Sequence, residues 1–119
     1  WERNRHTPWG MRMIVIHGDP QKAGPYTFRV KMPSGYKLPP HKHKDQRTVT
    51  VLKGTYWIGS GDQFDMRPMK TMEEGSFYIT DANTAHYAWA RTEVILQESG
   101  FGPTDMSWIN PEDDPNYQR

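Results

Sequence analysis

His41 and His43 are the residues of this chain whose type and spacing best suit chemistry, because they stand two apart on either side of Lys42. On an extended backbone, side chains two residues apart point to the same face, so the two imidazoles project into one space. Neutral imidazole nitrogen is a common ligand for zinc, iron, copper and nickel. Taken alone, the triplet would equally suit a solvated surface segment. The surrounding residues therefore decide between the two interpretations.

Regular spacing frames the histidines in two motifs. In the first, Gly35 is followed after five residues by His41 and His43, and Arg47 precedes Gly54 by six residues. A second stretch contains, in order, Gly75, Asp81, Asn83, His86 and Ala90. These stretches resemble the signature motifs of the cupin superfamily, Gly-x5-His-x-His-x3-4-Glu-x6-Gly and Gly-x5-Pro-x-Gly-x2-His-x3-Asn. The resemblance spans residues 11–110, and its second motif departs from the family by having Asp81, Asn83 and Ala90 where Pro, Gly and Asn are usual.

The resemblance implies an all-β fold, a double-stranded β-helix or jelly-roll-like barrel with little helix. It also implies one divalent metal ion (iron, manganese, zinc or nickel) held by His41, His43 and His86. The motif's glutamate, usually the fourth protein ligand, is Arg47 here, and a guanidinium has no lone pair to donate. Three histidines with water form an established catalytic zinc site. Otherwise Gln46 or Glu98 supplies an oxygen, or the metal is lost and Arg47 binds an anion or pairs with a carboxylate.

Length and composition limit the remaining classes of function. A chain of 119 residues makes one domain, which we divide into an N-terminal arm at 1–10, a barrel at 11–110 and a solvated C-terminal tail at 111–119. Its 15 basic and 14 acidic residues give a net charge of +1, which carries no signature of nucleic-acid or membrane binding. No apolar run approaches the roughly 20 residues of a spanning helix. The absence of cysteine excludes thiolate ligands and disulfides.

Short β-rich runs between Gly, Pro and Asp turns predict strands at residues 11–17, 26–32, 48–52, 55–58, 76–80, 86–90 and 94–97, with another at 106–109. Only residues 71–74 are predicted as a helical turn. Because side chains alternate along a strand, inward histidines turn further residues inward with them. These are Arg47, Val49, Val51, Ala88 and Ala90.

On the last long strand, residues 95, 97 and 99 share one face and residues 94, 96 and 98 share the other. Alternation leaves open which of these faces points into the barrel. Similar small cupins place a glutamine at the position of Gln97. We therefore predict that Gln97 and Ser99 line the pocket and that Glu98 lies outside. An inward Arg47 would clamp a carboxylate or enolate, while Gln97 would orient the ligand, so these two are the predicted catalytic residues.

Three further residues are predicted to contact the substrate. Tyr56 or Trp57 would supply an apolar wall, since the turn at Gly54 leaves their orientation open. Along its predicted strand, Arg29 points away from the face that the alternating apolar residues form. We therefore expect it at the barrel mouth or in a subunit contact.

Two functions fit these features. The first is a metal-dependent enzyme acting on a small oxygenated or carboxylated molecule, by dioxygen insertion or by lyase, isomerase or hydrolase chemistry. The second is a binding or sensing cupin without turnover. We expect a homodimer with a small-molecule ligand, because an aromatic-rich, barely charged chain has surface to bury. The chain begins at Trp1 rather than Met, so we expect a processed or trimmed N terminus, and both a cytoplasmic and a periplasmic location stay open.

Overall fold

The computed structural model describes Trp1, Pro8 and residues 10–117, and in this part of the chain ten strands form two five-stranded antiparallel sheets. The strands are β1 Arg12–His17, β2 Gly24–Met32, β3 Lys37–Lys42, β4 Arg47–Lys53, β5 Tyr56–Ser60, β6 Lys70–Met72, β7 Phe77–Thr80, β8 His86–Ala90, β9 Val94–Gly102 and β10 Ser107–Trp108. Sheet A has the order β1-β2-β9-β4-β7, and sheet B has the order β10-β3-β8-β5-β6. Together they form a jelly-roll sandwich, which confirms the predicted fold class.

Most of the sequence-based strands agree with those observed. The prediction contained no strand for β3 or β6, and β9 continues to Gly102, beyond its predicted end at residue 97. Residues 71–74, predicted as a helical turn, belong to β6 and to the turn after it, because β6 pairs with β5 and completes the edge of sheet B. The described residues contain one short 3₁₀ turn, Pro111–Asp113, capped by the Asn110 side chain, which accepts a hydrogen bond from the Glu112 amide. In the same part of the chain, no helix is long and apolar enough to cross a membrane.

An apolar core cluster lies between the sheets. Alternate residues of the central strands of sheet A point into it: β2 contributes Tyr26, Phe28, Val30 and Met32, β4 contributes Val49 and Val51, and β9 contributes Val94 and Leu96. Ala88 and Ala90 of β8 face them from sheet B, as predicted. Burial of these side chains stabilises the sandwich, at roughly 25 cal/mol per Å² of apolar surface removed from water.

The structure describes more of the predicted C-terminal segment than of the predicted N-terminal arm. Most of the N-terminal arm at 1–10 lies outside the described residues. In the C-terminal segment, Asp114 and Asn116 form part of the lining of the cavity between the sheets.

Candidate metal centre

The three histidines converge from neighbouring strands of sheet B. His41 on β3 is the ladder partner of His86 on β8, and His43 follows β3 directly. The register between these strands shifts at Pro39-Pro40, which lack the N–H groups that a ladder requires. The ring centroids lie 4.2 Å apart for His41 and His86, 5.1 Å for His41 and His43, and 5.2 Å for His43 and His86. One possible ligand atom from each ring lies within 4.8 Å of the other two.

Each imidazole is fixed by its Nδ1 atom. The hydrogen-bond partners of Nδ1 are the backbone carbonyls of Pro39 at 2.7 Å for His41, Asp105 at 2.7 Å for His43, and Thr84 at 3.0 Å for His86. A carbonyl oxygen only accepts hydrogen bonds, so each Nδ1 carries the proton and donates it. The lone pair of each ring therefore resides on Nε2, where a metal would bind, and the carbonyl partner sets the tautomer and the ring orientation.

Backbone geometry explains two of the motif positions. Asn83 replaces the motif glycine and adopts a φ of 56°, a left-handed conformation that asparagine tolerates better than most residues. Its amide donates to the His43 carbonyl at 2.7 Å and so holds the residues before His86 against the end of β3. At Gly54 a Cβ would lie 2.1 Å from the Glu93 carbonyl oxygen, which excludes any side chain.

Burial and neighbouring positive charge keep the three rings neutral. Desolvation lowers the pKa of His41 to about 3, and the charges of His86 and Arg47 add to this shift. The pKa of His43 is lowered further, first by burial and then by the nearby Arg47 guanidinium. Burial also lowers the pKa of His86. At neutral pH all three are uncharged, which is the form that binds a metal ion.

Arg47 points inward, as strand parity predicted, and most of its donors are engaged. Its Nη2 donates to the Thr104 hydroxyl at 2.8 Å and to the Asp105 carbonyl at 3.2 Å, and its Nη1 donates to Glu98 at 3.4 Å. The Asp105 carbonyl is the one that also accepts from His43. Its Nε faces Asp45 at 4.0 Å, beyond hydrogen-bond distance. Arg47 thus helps to hold the Asp105 carbonyl, which in turn orients the His43 ring.

Asp45 is a buried acid that sequence reasoning did not single out. Its carboxylate accepts hydrogen bonds from the hydroxyls of Tyr26 and Thr104. Burial, with the hydrogen bond to Asp45 adding to it, raises the pKa of Tyr26 to about 12, so the phenol stays a donor. A Cβ on Gly100 would lie 2.6 Å from both Asp45 and the Tyr26 hydroxyl. Because this cluster joins β2, β9 and the residues after His43, no local spacing in the sequence could have indicated it.

A cavity of about 450 Å³ opens beside the histidines, between the two sheets. The histidines and Arg47 form part of its wall, with Tyr56, Tyr78, Glu98, Met106 and Trp108 among the other lining residues. Tyr56 is buried, whereas Trp57 lies on the outer face of sheet B with its ring in edge contact with Trp89 at 5.1 Å. Of the two residues proposed for the apolar wall, the structure places Tyr56 in the cavity and Trp57 outside it.

The predicted orientation of β9 is wrong. Gln97 and Ser99 do not line the cavity; Glu98 does. The reason is that β9 is the central strand of sheet A, where Leu96 stands opposite buried residues on both neighbours, and alternation from Leu96 then turns Glu98 inward. On the outer face, Arg29 donates to the Gln97 side chain at 3.0 Å, so Arg29 also lies outside the cavity.

The donor set fits a divalent metal ion. Nitrogens bound to zinc at 2.0–2.1 Å in a tetrahedral site lie roughly 3.4 Å apart, and each of the three histidines offers a ring nitrogen within 4.8 Å of the other two. The three rings are neutral, pre-oriented and largely buried, and two of them, His41 and His43, are almost fully enclosed. Neither Gln46 nor Glu98 belongs to the cluster: Gln46 is exposed and directed to Asp81.

Comparison with known proteins defines the class. The sequence profile described as the cupin domain matches residues 28–97, more than half of the chain. The chain belongs to the cupin family. No curated protein sequence matches it.

Solved structures agree on the fold at low sequence identity. An RmlC-like cupin from Shewanella frigidimarina has a TM-score of 0.65 at 14% identity, covering 77% of this chain and 76% of its own. KdgF from Halomonas sp. has a TM-score of 0.63 at 16% identity, covering 78% and 80%. Salicylate 1,2-dioxygenase from Pseudaminobacter salicylatoxidans has a TM-score of 0.68 at 12% identity, covering 82% of this chain but only 30% of the dioxygenase. At such identities the likeness establishes the fold alone.

Proposed function

We propose that the protein is a metal-dependent enzyme that binds one divalent ion on His41, His43 and His86 and acts on a small oxygenated or carboxylated molecule. The observation that carries this proposal is the arrangement of the three imidazoles. Each Nδ1 is fixed to a carbonyl, and the rings lie together on the wall of a cavity large enough for a small ligand. Imidazoles that are fixed in this way on the wall of a cavity are typical of metal ligands.

The bound ion would supply Lewis acidity or, if it is iron, dioxygen chemistry. Dioxygen insertion is the single class we favour, and one of the structural neighbours is itself a dioxygenase. Neutral histidines leave the +2 charge of an ion uncompensated, so an anionic ligand with two oxygen donors suits the site. Lyase, isomerase and hydrolase reactions would use the same arrangement with manganese, zinc or nickel.

The alternative is a binding or sensing cupin without turnover. In its metal-free form, Arg47 would hold an anionic ligand. The contacts of Arg47 count against that form, because Thr104, Asp105 and Glu98 already accept from both of its terminal nitrogens.

Metal content and dioxygen uptake separate these functions. We expect protein supplemented with iron, manganese, zinc or nickel to retain about one ion per chain, because three fixed donors suffice for binding. The iron form should consume dioxygen with at least one member of a panel of small carbonyl acids. Stoichiometric metal with neither dioxygen uptake nor substrate loss would support the sensing function, and absence of metal under all four conditions would contradict the proposal.

We also propose a homodimer formed through the outer face of sheet A. One row across this face runs through ladder partners, from Ile14 on β1 through polar residues to Phe77 on β7, and both ends are exposed and apolar. A two-fold axis would set the apolar edge of one protomer against that of the other.

Light scattering should give twice the 13.9 kDa chain mass, and Phe77→Asp should halve it. Met66→Asp, at an exposed apolar residue in the loop before β6, is the matched control. A wild-type monomer at high concentration would exclude this dimer.

A further inference from the structure

Glu98 is a carboxylate on the cavity wall that the candidate metal site does not use. Its side chain is only 14% exposed. Among the described residues, Arg47 provides its one side-chain hydrogen bond, and that bond is long at 3.4 Å. The other carboxylate oxygen is therefore free to accept a proton or a hydrogen bond from a ligand.

Glu98 lies near the histidines without joining them. The set of possible ligand atoms within 4.8 Å of one another contains the three histidines and not Glu98, although carboxylate oxygens qualify for such a set. Its negative charge nevertheless reaches His86, where it opposes the lowering of the pKa by burial. Glu98 and the three histidines line the same cavity, so the carboxylate faces a molecule held there.

Two buried phenols flank the same stretch of wall. Burial raises the pKa of Tyr56 and of Tyr78 well above the usual value, and the charge of Glu98 adds to both shifts. Both phenols therefore remain protonated and can only donate toward an anion. Phe28 and Val49 are the ladder partners of Glu98 on the adjacent strands, so an apolar surface surrounds the carboxylate. This part of the cavity wall thus sets the Glu98 carboxylate beside two phenol donors.

We propose that Glu98 is the general base of this cavity and that its substrates are 2-oxo acids or similar anionic carbonyl compounds with a hydrogen on the neighbouring carbon. This rests on the proposed metal-dependent function and deepens its Lewis-acid branch. Glu98 removes the proton from the carbon beside the carbonyl, so that a C–H bond breaks and an O–H bond forms on Glu98. The electron pair of the C–H bond forms a C=C bond, and the carbonyl π pair moves to oxygen, which gives an enolate. Return of the proton to carbon reverses the step, and the balance needs no oxidant or reductant.

The chemistry explains why the charges are arranged as they are. His41, His43 and His86 would hold the ion, whose positive charge would stabilise the negative charge that develops on the carbonyl oxygen. Arg47 donates to Glu98 at 3.4 Å, and so keeps the carboxylate in place and compensates its charge before the proton arrives. Arg47 is accordingly a positioning residue.

Pyruvate and zinc-loaded protein provide the test, because zinc is diamagnetic and leaves proton magnetic resonance readable. In D₂O, wild-type protein should exchange the methyl protons of pyruvate for deuterium faster than free zinc does. Glu98→Gln should slow this exchange by about 100-fold or more, the usual contribution of a general base. Zinc stoichiometry and the calorimetric affinity for pyruvate should stay within about twofold of wild type. Glu93→Gln, at an exposed carboxylate paired with Lys53, is the matched control and should change nothing.

Each other outcome counts against the proposal in a distinct way. Unchanged exchange in Glu98→Gln, or none in zinc-loaded wild type, overturns the role of Glu98 and leaves the metal site standing. Loss of zinc in Glu98→Gln makes Glu98 a ligand rather than a base. If wild type binds no metal, the proposed function fails as well. If Glu98→Gln melts at a much lower temperature, Glu98→Asp replaces it in the test. Glu98→Asp keeps the charge but withdraws it by one methylene, so it must also slow the exchange.

Discussion

Replacing His43 with alanine should abolish stoichiometric metal binding. His43 contributes one of the three nitrogen donors found among the described residues, and the two that remain, His41 and His86, cannot close a stable site for a divalent ion. Loss of an outer-shell partner alone costs about 10–100-fold in metal affinity, so loss of a direct ligand should exceed 100-fold. Metal analysis after dialysis and calorimetric titration with zinc and manganese measure the effect.

The choice of variants separates ligand loss from damage to the fold. His43 is almost fully buried and donates to Asp105, so its removal also leaves a small void. His86 is less buried, and His86→Ala should lose metal with less effect on the melting temperature. His17→Ala, at an exposed histidine at the end of β1, should bind as the wild type does. Full metal occupancy in both cluster variants would show that the ion binds elsewhere.

The second large effect is expected at Arg47, where the chain departs from the family motif. Arg47→Glu places a carboxylate behind the histidines and rebuilds the usual four-ligand set. We expect divalent metal to bind at least about tenfold tighter, which is roughly 1.4 kcal/mol. Without metal, the new carboxylate joins Asp45 and Glu98 with no cation between them, and the protein should lose about 3–5 kcal/mol of stability, the usual cost of breaking a buried ion pair. Calorimetry and thermal melting with and without metal test both effects.

Arg47→Met is the control for this variant. It removes the positive charge that lowers the basicity of the histidines but adds no ligand, so any gain in affinity it shows is electrostatic. The gain of the glutamate variant over the methionine variant measures ligation. If the two variants bind metal equally, the side chain at position 47 does not reach the ion.

Short-range patterns predicted most of the fold and the histidine cluster. Two residues on one face of a strand must point the same way, so the pair His41 and His43 could be read directly from spacing. The same alternation correctly placed Arg47, Val49 and Val51 inside, because β4 runs without a bulge through those residues.

The prediction for β9 failed because it relied on the family resemblance and not on the alternation of apolar residues along the strand. On β9, the position of Gln97 in similar proteins suggested an inward glutamine. The apolar residues Val94 and Leu96 were the stronger signal, since a central strand must turn its apolar side to the core, and this places Glu98 inward. Asp105 was beyond reach of either approach. It supports His43 from 62 residues away, through a loop whose path depends on the packing of both sheets.

The two sheets hold different parts of the chemical machinery. All three histidines come from β3, the residue after it, and β8, within sheet B, whereas Arg47, Tyr78 and Glu98 come from sheet A. The histidines and Glu98 thus stand on different sheets, and Arg47 links the two sets, because the Asp105 carbonyl that accepts from His43 also accepts from Arg47. A substitution at Tyr78 or Glu98 would change the groups that face a ligand, while the carbonyl partners of the three imidazoles stay the same. Under the proposed function, mutation of the sheet A wall would change the reaction while the histidines of sheet B kept the ion.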